Sequence, residues 1–166
     1  MRRKIDVREA FAETLDGLDG SGLLLMTGPQ GNPMTIGWAM LGRIWKRPVM
    51  TVLVRPSRHS FSLLAETPEF TVNVPPPGMK KILGICGTKS GRDTDKLAEC
   101  GLTAVPSADV SVPYLAECPV HFECRVIHTT EVLNSTLDPA VVEGSYPKGN
   151  YHRVYHGLIL GTYREG

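Results

Sequence analysis

The chain has 166 residues, 42% hydrophobic and 21% charged, enough to bury about two thirds of its unfolded surface in one core. One domain covering residues 1–166 is therefore expected. A formal net charge of +1 with a pI near 7.7 gives no global basic field, which argues against nucleic acid or an anionic membrane as partner and makes any anion site local.

Met1-Arg2-Arg3-Lys4 begins like a secretory signal, but Asp6, Glu9 and Glu13 follow where an apolar stretch would be needed. No run approaches the ~18 apolar residues of a membrane span, so a cytoplasmic protein is expected. Residues 6–18 open with Asp6 and Glu9 in capping-box spacing and carry Val7, Ala10, Phe11, Leu15 and Leu18 on one stripe, which predicts a short helix. Gly22 to Thr27 reads as a buried strand and Gly28 to Gly31 as a turn. Met34 to Leu41 reads as a strand in which small and large residues alternate. A turn is expected at Lys46-Arg47-Pro48, then a strong apolar strand at Pro48 to Val54. Ser57 is positioned to cap a helix running to Ala65, stopped at Thr67-Pro68. Glu69 to Val74 alternates as a strand, Lys80 to Ile85 predicts a short helix, and Gly87 to Lys96 is a polar loop leading into a helix at Leu97 to Cys100. Leu102 to Tyr114 is broken by prolines. Pro119 to Leu133 is a long strand, Gly144 to Tyr155 a loop rich in aromatics and histidine, and Tyr155 to Tyr163 a last strand. Strand runs follow one another without strict helix alternation, so the fold class expected is mainly β, an antiparallel barrel with peripheral helices.

The densest chemistry lies at Arg55-Pro-Ser-Arg-His-Ser60, where a strand gives way to a helix. Arg55, Ser57, Arg58 and Ser60 offer fixed charge and hydroxyl donors beside the positive end of a helix, the groups a phosphate needs. Lys89, Ser90 and Arg92 in the polar loop are candidates for a second wall, although composition alone favours a solvated connection. The chain lacks a G-x-x-x-x-G-K-[ST] loop, a G-x-G-x-x-G fingerprint, a G-x-S-x-G elbow and an H-E-x-x-H helix. His59 next to Ser60 is adjacency, not a triad.

Metal binding is not expected. Cys118 and Cys124 share one strand face while His121 points to the other, and His152 and His156, which share a face as helix or strand, sit beside tyrosines as surface or interface residues. Cys86, Cys100, Cys118 and Cys124 have no C-x-x-C spacing and read as reduced, structural thiols. What fits the phosphate cradle and the roomy strand before it is a flat ring carrying a ribityl or ribosyl phosphate, with the ring along the Met34 to Trp38 backbone.

The pattern N-x-M-T-x-G-W from Asn32, then R-P-V and V-R-P-S-R-H-S, then E-F-T-V-N ending at Asn73, resembles the flavin-reductase-like family of FMN-binding split β-barrels, and within it the flavoredoxin-type branch. The resemblance implies a Greek-key split barrel, a homodimer, and one FMN per subunit near the dimer interface. It places the flavin ring along Met34, Thr35, Ile36, Gly37 and Trp38 and the phosphate on Arg55, Ser57, Arg58 and Ser60. Asn73 would lie near the ring or ribityl chain. Ser90-Gly-Arg-Asp-Thr-Asp-Lys96 is similar to the family's S-G-x-x-x-D-K segment and favours binding roles for Lys89 and Ser90. The implied activity is electron transfer between a reduced nicotinamide, NADH or NADPH, or a redox protein partner and flavin or another acceptor. The alternatives are a non-catalytic flavoredoxin-like electron carrier holding FMN for protein partners, and a module binding another nucleotide-like ligand. The sequence stops at Gly166, before any substrate-covering extension of the kind larger relatives carry, so strong nicotinamide binding is not expected.

Overall fold

The computed structural model describes residues Met1–Gly166. The chain opens with a short strand β1 (Arg3–Lys4), a 3-10 turn at Val7–Ala10 and helix α1 (Phe11–Asp19). The Asp6 and Glu9 capping box forms as expected, but it caps the 3-10 turn that leads into α1. Strands β2 (Leu23–Thr27), β3 (Asn32–Ile36), β4 (Ala39–Ile44) and β5 (Arg47–Val54) follow, then helix α2 (His59–Glu66) and strand β6 (Glu69–Val74). Helices α3 (Lys80–Thr88) and α4 (Lys96–Cys100) and a small ribbon of β7 (Ala104–Val105) and β8 (Tyr114–Leu115) precede the two longest strands. These are β9 (Val120–Glu131) and β10 (Arg153–Arg164), separated by a 3-10 turn and helix α5 (Pro139–Ser145).

The main sheet runs β3-β2-β6-β9-β10-β5-β4, with β1 added to β10, and every pairing is antiparallel. The fold is thus mainly β with peripheral helices, a split β-barrel. Its consecutive strands β3 and β4 sit at opposite ends of the pairing order. The Met34 to Leu41 strand read from the sequence is therefore two strands, broken at Gly37-Trp38, where the chain leaves one sheet edge for the other. Alternation of small and large residues looks the same in one strand as in two, which is why the sequence did not reveal the break.

Burial explains the apolar runs. Leu23 and Leu25 of β2 belong to the barrel core with Phe70, Val72, Phe122, Met50 and Val52. Leu24 and Met26, on the opposite face, pack under α3 and α4 with Leu83, Cys86, Leu115 and Cys118. A strand covered on both faces needs no polar alternation, hence Leu-Leu-Leu-Met.

Three expectations need local correction. The hairpin between β4 and β5 turns at Trp45-Lys46, both with positive φ (53° and 58°), one residue earlier than the proline implied. Helix α2 is preceded by Arg58 as N-cap, with no side-chain cap bond, because the Ser57 hydroxyl instead accepts from Asn150 Nδ2 at 2.9 Å. The last strand starts at Arg153 and continues to Arg164, since β9 pairs along it from end to end, β5 flanks Arg153 to Leu158 and β1 flanks Tyr163 and Arg164.

At the other end of the barrel, the buried Glu123 carboxylate accepts from Arg2, from His121 Nε2 at 3.3 Å and from the Asp109 N–H at 2.5 Å. It ties the first residues of the chain to β9. Within β10, Gly157 lies beneath Phe70: an added Cβ would stand 2.4 Å from Phe70 Cζ and 3.0 Å from Cys124 Cβ. Overpacking of this kind costs about 1–3 kcal/mol. Gly157→Ala is therefore expected to lower the thermal unfolding midpoint by several degrees, and an unchanged midpoint would show that Phe70 swings aside freely.

Candidate functional site: a cleft at the split in the barrel

The break between β3 and β4 opens a cleft of about 230 Å³ lined by Met34, Thr35, Ile36, Gly37, Trp38, Leu53, Arg55, Arg58 and His152. Its floor is backbone-rich because the chain there is changing edges. Gly37 faces open space, with no atom within 4 Å of where a Cβ would stand, so a flat ligand can approach the main chain. Trp38 is 46% exposed.

Two guanidiniums supply the only formal charges in the lining, since burial pulls the His152 pKa down to about 4, with Arg55 adding to the shift. Neither arginine is ion-paired to a carboxylate. Each holds main-chain carbonyls instead. Arg58 donates to Gly87 O at 2.8 Å and to Cys86 O at 3.4 Å, the end of α3, where helix carbonyls lack internal partners. Arg55 donates to Ser145 O at 3.0 Å and Asn150 O at 2.9 Å, which closes the loop after α5. Burial lowers the Arg58 pKa, the direction expected for a cation without a counter-ion. The cleft is therefore electropositive and contains no acid.

The loop after α5 forms an aromatic wall. Trp38 and His152 have ring centroids 5.1 Å apart, Tyr146 stacks on Tyr151 at 4.8 Å, and the Arg55 guanidinium lies 5.0 Å from the Tyr146 centroid. The Tyr146 hydroxyl is 2.7 Å from His152 Nδ1.

Of the residues read from the sequence, Met34, Thr35, Ile36, Gly37, Trp38, Arg55 and Arg58 come together in this cleft. The others do not line it. Ser60 is buried, and its hydroxyl accepts from Asn32 Nδ2 at 3.1 Å, as the inward face of α2 requires. Ser57 lies outside the lining, bonded to Asn150. Asn73 is wholly buried and its amide is spent on Leu24 O, Thr71 Oγ1 and the Leu115 N–H; it joins β2 and β6 to β8. Lys89 pairs with Glu99, and Ser90 accepts from the Arg92 N–H at 3.2 Å within its own loop. His152 and His156 do not act as a pair. His152 precedes β10, while His156 lies within it, stacked on His128 at 5.5 Å and bonded to Thr51. Leu53 and His152 were not identified from sequence as parts of the site. Leu53 had no distinguishing signal, and His152 was visible only as one histidine in an aromatic loop.

An electropositive cleft without a carboxylate, at the opening of a split barrel, is complementary in charge to an anion. Comparison with known proteins narrows this further. The flavin reductase like domain family matches residues 20–158, and the chain belongs to that family. It is 34% identical over 135 residues to an uncharacterized protein of Archaeoglobus fulgidus, covering 75% of each chain. Among solved structures, the flavoredoxin from Methanosarcina acetivorans superposes with a TM-score of 0.68 at 26% identity, covering 86% of this chain and 67% of that one. An FMN-binding domain of a flavin reductases-like enzyme from Shewanella baltica superposes with a TM-score of 0.69 at 17% identity, covering 99% and 77%, and shares the fold.

The His152 environment has a measurable consequence. Its pKa is lower in the folded protein than the ordinary 6.5, so the unfolded chain binds the proton more readily. The contribution of this group to stability is present above about pH 6.5 and is lost as pH falls toward about 4. His152→Gln is expected to flatten part of the acid limb of the stability curve between those values in denaturant titrations. An acid limb as steep as that of the wild type would place the linkage elsewhere.

Proposed function

We propose that residues 1–166 act as one FMN-binding domain that moves electrons between a reduced nicotinamide or protein donor and a flavin or other acceptor. The observation that carries this reading is the cleft itself: two guanidiniums without a carboxylate counter-ion beside an open strip of backbone at Met34 to Trp38. Family membership and the flavoredoxin likeness support a flavin-related redox role. The name of the Shewanella baltica domain supports FMN as the form bound.

In this reading Arg58 meets the phosphate from the side of α2, where the first-turn N–H groups add donors. Arg55 adds field but stays committed to the loop after α5. Ser57 and Ser90 lie outside the lining and join if the ligand displaces their present partners. Thr35 is held by its own bond to Leu83 O at 2.6 Å, which leaves the main chain of β3 to pair with the polar edge of the ring. The bound flavin would supply the two-electron chemistry. The chain contributes orientation, a low-dielectric floor from Met34, Ile36 and Leu53, and the neutral imidazole of His152.

The reading includes a homodimer with the cofactor near the interface. Trp38, Met40, Ile44 and Trp45 are exposed on and around the edge strand β4, and a second copy covering that edge would bury them. No helix is long and apolar enough to cross a membrane, and the four cysteines are free; a cytoplasmic setting fits both.

A non-catalytic carrier is the second reading, favoured by the likeness to a flavoredoxin. NADH and NADPH oxidation with excess free flavin separates the two: a reductase gives saturable turnover, and a carrier gives none while its bound flavin is still reduced chemically. For the phosphate contact, Arg58→Ala is expected to weaken FMN about 10- to 100-fold, the range of a charge-assisted bond, and riboflavin far less. Equal losses for both ligands, measured by fluorescence titration, would place Arg58 in the fold alone.

A further inference from the structure

Cys86 and Cys100 lie in the layer of helices behind the cleft. Cys86 is buried in α3 and Cys100 is half-buried at the last position of α4. Their sulfurs are 4.0 Å apart, within reach of a thiol hydrogen bond. A disulfide needs about 2 Å between sulfurs, so side-chain rotation and a small approach of the α4 terminus would close the bond. A third group stands beside them: the buried Lys96 ammonium has no carboxylate partner and bonds Cys86 O at 3.2 Å and Lys89 O at 3.3 Å. The same Cys86 carbonyl, with that of Gly87, receives the Arg58 guanidinium that lines the cleft.

We propose that Cys86 and Cys100 form a reversible disulfide when the protein meets hydrogen peroxide, and that closing it shifts the end of α3 and loosens Arg58 in the cleft. Cys100, the less buried of the two thiols, reacts first. Its sulfur attacks one peroxide oxygen, the O–O bond breaks, the departing oxygen leaves as water with the thiol proton, and Cys100 becomes a sulfenic acid. The Cys86 sulfur then attacks the Cys100 sulfur; the S–S bond forms, the S–O bond breaks, and the hydroxide takes the Cys86 proton as a second water. Two thiols are oxidised and one peroxide is reduced. Burial pushes the Cys86 thiol up to about 12, which keeps it unreactive toward peroxide until an electrophilic sulfur is in contact, and the neighbouring Lys96 charge favours the thiolate at that moment. Cys118 and Cys124, buried and without a thiol neighbour, do not take part.

The bond itself does not depend on the flavin reading; the effect through Arg58 does. The full chain, treated with hydrogen peroxide and then denatured, is expected to lose two of its four titratable thiols, to recover both with dithiothreitol, and to yield a linked peptide pair containing Cys86 and Cys100. Cys100→Ser under the same exposure should give no such pair and keep its remaining thiols. Four intact thiols in the wild type, or a pair involving Cys118 or Cys124, would overturn the proposal. In the oxidised wild type, FMN affinity should fall about tenfold relative to riboflavin, the size of one charge-assisted contact, with no change in treated Cys100→Ser. An unchanged ratio would overturn the coupling. Protein that binds FMN in neither redox form would contradict the flavin reading alone, because thiol counting and peptide mapping decide the bond independently.

Discussion

The cleft depends on two arginines, three positions apart, that hold helix ends in place. Arg58 binds the last carbonyls of α3, and Arg55 binds the end of α5 and the loop that follows it. Because both project from one strand-to-helix junction, the two walls of the cleft are fixed to a single short segment. Carbonyls at a helix end carry partial negative charge, so they stabilise the guanidiniums without neutralising them. A carboxylate in the same place would have cancelled the positive potential that an anionic ligand requires. The segment thus assembles the cleft and leaves it electropositive.

The topology supplies the rest. Placing β3 and β4 at opposite ends of the sheet order leaves two residues, Gly37 and Trp38, to cross between edges, and a crossing segment exposes main-chain groups that a ladder would consume. On one side Thr35 is bonded to α3, and Gly87 of that helix approaches so closely that an added Cβ would lie 3.3 Å from Thr35 Cβ. The strand that forms the floor and the helix that Arg58 holds are therefore one packed unit. Movement at the end of α3 reaches both the floor and the charged wall.

Several features were readable from residues alone. Strand identity followed from apolar runs and turn signals, and the barrel from their consecutive order; Arg55 and Arg58 were found because clustered charge at a helix start is a local pattern. What escaped notice depended on distant partners. Asn73 was placed near a ring, but a polar residue at the end of a strand reads the same whether it faces a ligand or, as here, bridges three backbone and side-chain groups in the interior. Ser60 and Ser57 share a short segment with the arginines, yet one turns inward toward Asn32 and the other toward Asn150, a choice set by chain more than twenty residues away. Lys89 could not be separated from a solvated lysine until Glu99 was seen beside it. His152 acquired meaning only from the wall it joins, with Tyr146 on one side and Trp38 on the other.

In the function proposed above, the split between β3 and β4 receives a phosphorylated flavin, with the ring on the Met34 to Trp38 main chain and the phosphate at Arg58. A crystal structure of the protein grown with FMN tests this most directly. The phosphate is expected within hydrogen-bonding distance of the Arg58 guanidinium and the ring against Gly37. Flavin seated elsewhere on the molecule, or an ordered Arg58 still bonded only to Gly87 and Cys86 with the phosphate facing solvent, would contradict it.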